Sequence, residues 1–125
     1  MGQPNGWYIY KGKRRDVKNV KADYDVEPHL WECGAFDNLG ATGVVKVKLP
    51  PAIPGRTHTA YVLAAQYLQL TPQTGECTKT NAGVTGTASY GVRSNVVGTS
   101  ITVECVVKGT WETVRAIGTW SSVAP

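Results

Sequence analysis

Histidine is almost missing from this chain: His29 and His58 are the only two in 125 residues. General acid–base and nucleophilic chemistry draws on positioned histidines, carboxylates and thiols, so few side chains remain from which to build a reaction centre. Cysteine is equally sparse. Cys33, Cys77 and Cys105 form an odd set without a CxxC spacing, which argues against a disulfide framework and against a zinc site. His29 and Cys33 stand four apart, but Pro28 and strand-like surroundings oppose the helix that would align them. No Walker loop, GxGxxG or GxSxG occurs. These gaps lead us to expect no enzyme activity, no metal and no cofactor, with three reduced, structural thiols.

Long apolar runs are also lacking, and none reaches the length that spans a bilayer. Met1 to Gly6 has neither a charged n-region nor an apolar h-region, which predicts a protein made in the cytoplasm without a cleaved signal. Met-Gly at the start does not complete a myristoylation motif, because position 6 is Gly rather than Ser or Thr.

What the chain does hold is β-branched. Sixteen Val and fourteen Thr stand against one Phe and one Met, with fourteen Gly and seven Pro to make turns. Such side chains lose rotamer freedom in a helix and suit a pleated, half-buried surface. The expectation is one all-β domain over residues 1–125, with 1–10 as an N-terminal arm: an antiparallel β-sandwich or jelly roll, or else a small β-barrel.

The clearest element is a hairpin between Ser100 and Ser121. Ile101, Val103, Cys105 and Val107 alternate with polar residues, Gly109 and Thr110 punctuate, and Val114, Ala116 and Trp120 continue an apolar row. Tyr24 and Val26 alternate with Asp23, Asp25 and Glu27, which predicts a strand with an acidic face. Val45, Val47 and Leu49 alternate with Lys46 and Lys48 before Pro50, Pro51 and Pro54 forbid further pairing, so 50–55 reads as a stiff extended loop. The stretch 59–70 fits either a helical stripe or a long strand, and its flanking Thr and Pro residues favour strand. Residues 71–91 read as a long loop or a short hairpin, and no internal repeat is evident.

Charge is segregated at the N-terminal end. Lys11, Lys13, Arg14, Arg15, Lys18 and Lys21 form a basic block opposed only by Asp16, and the acidic residues Asp23, Asp25, Glu27 and Glu32 follow. The acidic row is a weak cation candidate, since it lacks the glycine-bearing loop of an EF-hand. Opposite blocks suit contact between subunits, where the positive segment of one copy meets the negative segment of the next. We therefore expect a non-enzymatic structural subunit that binds its own copies or a larger protein scaffold, as a capsid decoration protein in a virion does. The expected partner-binding residues are Trp7, Tyr8, Tyr10, Lys13, Arg14, Arg15, Asp23, Asp25, Glu27, Pro51 and Pro54. Four Trp and six Tyr make a carbohydrate-binding sandwich the alternative, because aromatic rings form platforms for sugars. A nucleic-acid binder using the basic 11–21 segment comes third, its phosphate attraction opposed by the adjacent acids. No membrane partner is expected.

Overall fold

The computed structural model describes residues 17–81 and 86–125. Among these the chain forms β1 (Lys18–Asn19), β2 (Tyr24–Asp25), a 3₁₀ turn (Pro28–Leu30), β3 (Cys33–Asp37), β4 (Val45–Lys48), β5 (Thr57–Tyr61) and β6 (Leu68–Thr71). It continues with β7 (Cys77–Thr78), β8 (Gly91–Ser94), β9 (Ser100–Val107), β10 (Thr110–Ile117) and β11 (Ser121–Val123). The protein is thus all-β in its described part. One sheet runs β1-β3-β5-β9-β10-β7 and the other β11-β8-β6-β4-β2.

Pairing is mixed rather than purely antiparallel, and the route of the chain explains why. From β1 to β8 each strand lies in the opposite sheet from the one before it. As far as β6, each strand that returns to a sheet runs in the same direction as the strand it joins. β1, β3 and β5 form one parallel run, and β2, β4 and β6 form the other. Antiparallel pairs appear only once β8 and β9 join β6 and β5, and in the β9–β10 hairpin and the β8–β11 pair. This winding produces a structural repetition that the sequence does not advertise: Tyr24 pairs with Val47 and Val47 with Leu70, while Asp25 pairs with Lys48 and Lys48 with Thr71.

The inward rows of both sheets share one apolar core containing Phe36, Val45, Val47, Ala60, Leu68, Leu70, Val92, Ile101, Val103, Cys105 and Trp111. A histidine lies within it. Gly34 makes this possible, because a Cβ there would come 2.8 Å from His58 Nδ1. The His58 ring stacks on Phe36 at 6.0 Å and meets Trp111 edge-on at 5.4 Å. Its Nε2 lies 3.0 Å from Trp31 O, and since a carbonyl can only accept, Nε2 carries the proton.

Two expectations need correction. The second arm of the terminal hairpin buries Trp111 and Thr113, and leaves Val114 and Ala116 exposed. Thr113 pairs with Val103 and Arg115 with Thr102, so Val114 is the extra residue of a bulge. A second irregularity sits at Val106, between the pairs Cys105–Trp111 and Val107–Thr110, and it turns Val107 outward. Residues 59–70 are neither a helix nor one long strand, because the end of β5 and all of β6 lie in different sheets. Asn38 sets the corner between them. Its fully buried amide accepts from Leu63 N at 2.8 Å and Ala64 N at 3.0 Å, and donates to Ala64 O at 3.3 Å and Gln66 O at 3.1 Å.

Candidate binding surface at the β2 edge

The acidic alternation has the predicted direction. Tyr24 and Val26 point into the fold and Asp23, Asp25 and Glu27 are exposed. Two of the three acids are partly committed to the fold itself. Asp23 Oδ1 accepts from Lys46 N at 3.0 Å, which ties the turn before β2 to the neighbouring strand. Glu27 Oε1 accepts from the Tyr24 hydroxyl at 3.0 Å. Burial and this bond to Glu27 push the Tyr24 hydroxyl above the ordinary tyrosine value. Lys18 Nζ stands 5.2 Å from the Tyr24 ring centroid on the same side of the molecule. Asp25 is different. It lies opposite Lys48 in the β2–β4 register, yet neither side chain makes an ion pair or hydrogen bond within the described residues.

β2 is the outermost strand of its sheet, and β1, four residues earlier, is outermost in the other. Among the described residues one edge of each sheet therefore belongs to the first turn of the winding, the opposite edges being β7 and β11. No group of three or more His, Cys, Asp or Glu able to hold a metal ion occurs among the described residues. His29 lies in the exposed 3₁₀ turn and Cys33 at the exposed start of β3.

The proline segment is held more tightly than an extended loop. Ala52 N donates to both carboxylate oxygens of Glu76, at 3.0 and 3.2 Å, and Gly109 N donates to Ala52 O at 3.0 Å. Gly55 N donates to Cys105 O at 2.9 Å, and Arg56 Nη1 to Pro51 O at 2.9 Å. The Arg56 guanidinium also pairs with Glu32 at 3.0 Å and packs 5.1 Å from the Trp31 ring centroid. Pro51 is half-buried by this arrangement, while Pro54 stays exposed at the apex.

The loop and the acidic edge converge on one cavity of about 250 Å³ lined by Asp25, Val26, Trp31, Lys48, Leu49, Pro50 and Gln73. The structure thus brings Asp25 to the foot of the proline loop, and leaves Pro51 and Pro54 outside the cavity lining. Trp7, Tyr8, Tyr10, Lys13, Arg14 and Arg15 lie outside the described residues. Sequence reasoning missed Lys48 and Gln73 as companions of Asp25, because parallel pairing joins positions about 23 apart, beyond any local periodicity. It also missed Arg56 and Glu76 as tethers, which no spacing rule marks.

The chain matches no family model and none of the curated proteins.

Proposed function

We propose that this chain is a non-enzymatic β-sandwich subunit that assembles with copies of itself or with a larger protein scaffold such as a capsid shell. The supporting observation is the pair of strand edges, β1 and β2, that no other described strand covers, presented by the first turn of the winding and bordered by exposed acids. An unpaired edge offers a row of backbone donors and acceptors to a strand from another chain. Lys18 and Lys21, exposed at and just after β1, carry the charge that Asp23, Asp25 and Glu27 attract, so the first turn of the winding presents charges of both signs to a partner.

Sedimentation velocity across a hundred-fold range of protein concentration tests this reading. We expect a concentration-dependent oligomer at about 0.05 M salt, weakened a few-fold at about 0.5 M, where the Debye length shortens to a few ångströms. Asp25→Lys should weaken it further, and Arg14→Glu with Arg15→Glu in the same chain should restore part of the loss. A strictly monomeric species at every concentration, with no defined partner in its native source, would refute the assignment.

A further inference from the structure

The cavity at the end of β2 and β4 has a narrow set of unspent polar groups, and that set describes a ligand. Val26 N donates to Lys48 O at 3.0 Å, and Val26 O accepts from Trp31 Nε1 at 2.9 Å. Leu49 N donates to Thr71 O at 2.8 Å, and Leu49 O accepts from Gln73 Nε2 at 2.7 Å. The backbone of both apolar lining residues is therefore fully engaged, the indole N–H is spent, and Pro50 has no N–H to give. Among the lining side chains the polar groups left are the Asp25 carboxylate, the Lys48 ammonium, and the carbonyl oxygen and second N–H of the Gln73 amide. Beside them stand the carbon surfaces of Trp31, Val26, Leu49 and Pro50.

A fitting ligand donates to a carboxylate and an amide oxygen, accepts from an ammonium, carries C–H surface for an indole and fills about 250 Å³. The two side-chain charges cancel, so the lining selects against net charge. From this we infer that the cavity binds one ring of a neutral saccharide. Each sugar hydroxyl both donates and accepts, so neighbouring hydroxyls can bridge Asp25 and Lys48 across the two strands while the ring's C–H face lies on the indole. A zwitterionic amino acid meets part of the same inventory, but Arg56 already places its cation 5.1 Å from the Trp31 ring centroid. A second cation against that ring would be repelled, whereas neutral C–H groups would not. This site does not depend on the assembly proposed above, since its ligand is a small molecule and its readout is local.

The test is titration of ¹⁵N-labelled protein with D-glucose, D-galactose and N-acetyl-D-glucosamine, and separately with glycine and alanine. The expected result is saturable shifts at the Trp31 indole resonance and at the amides of residues 25, 48 and 73, with a Kd on the order of 1 mM for at least one sugar. Lys48→Met and Asp25→Asn, each checked for an unchanged spectrum elsewhere, should each weaken binding about fivefold, as loss of one hydrogen bond would. Absence of saturable shifts with every sugar overturns the inference. So do stronger shifts with the amino acids, or sugar shifts that the two variants leave unaltered.

Discussion

Replacing Asn38 with alanine should unfold the corner that sends the chain from one sheet to the other. The side chain is fully buried and makes four hydrogen bonds to backbone groups of residues 63, 64 and 66. Truncation leaves two N–H and two carbonyl groups without that partner. Leu63 is 43% exposed, so water can reach part of the bend and the loss falls short of four full buried deficits. About 2–4 kcal/mol is the resulting estimate, equivalent to a Tm lower by roughly 8–16 °C in a chain of this length. Urea unfolding followed by tryptophan fluorescence and thermal melts by far-UV circular dichroism would measure it. Asn38→Asp sharpens the argument. It keeps both acceptor bonds but turns a carboxylate toward Ala64 O and Gln66 O, so the folded state should favour the protonated acid. A raised folded pKa means that the variant recovers stability as the pH falls and loses it as the pH rises. An alanine variant within about 0.5 kcal/mol of the parent, or an aspartate variant whose deficit is indifferent to acid, would refute this account of the corner.

Three other outcomes follow from the packing. Gly91→Ala should cost about 3 kcal/mol or more, since the new Cβ would stand 2.0 Å from Leu70 O and only separation of β6 from β8 relieves it; wild-type stability in urea would contradict this. Burial pushes the Cys105 thiol above its ordinary value of 9.0, so it should resist alkylation in the native state while exposed Cys33 reacts, as mass spectrometry after timed iodoacetamide exposure would show. The same shift contributes stability below pH 9.0 that fades as the medium becomes more alkaline, and Cys105→Val should flatten that decline. Arg56→Met should cost about 2 kcal/mol through the lost bond to Pro51 O and the lost contact with Trp31, with little from Glu32, whose side chain is 78% exposed; proteolysis within 50–56 should accelerate accordingly.

How much of this was legible in the sequence depended on the range of the interaction. Period-two rows told in advance which side of β2, β4 and β9 faces inward, because alternation is a local property of the pleat. Val114 and Val107 broke the pattern because bulges change parity without a residue-type signal: an exposed valine on a bulge reads like a buried one on a strand. Asn38 likewise reads as an ordinary turn residue beside Asp37 and Gly40, and only its partners 25 to 28 residues later reveal its part in the fold. The cavity shows the same limit. Asp25 is named in the sequence only together with Asp23 and Glu27, its companions Lys48 and Gln73 arrive by parallel winding, and alternation carries no information about which strands become neighbours.

The winding also changes what the charge segregation means. In the sequence, six basic residues precede four acids with no Lys or Arg among them, which suggests a strong field at each block. In the fold, β4 places Lys46 and Lys48 beside β2, with the Lys46 backbone bonded to Asp23 and Lys48 opposite Asp25. Two of the acids that would attract a partner from a distance are therefore bordered by lysines of their own chain. Screened, locally balanced charge contributes more to orientation and encounter rate than to affinity. Assembly at this edge should accordingly draw most of its strength from backbone pairing and apolar contact, with salt slowing association more than it speeds dissociation. Stopped-flow mixing at about 0.05 and about 0.5 M salt separates the two rates, and dissociation accelerated more than tenfold by salt would place the strength in the charges instead.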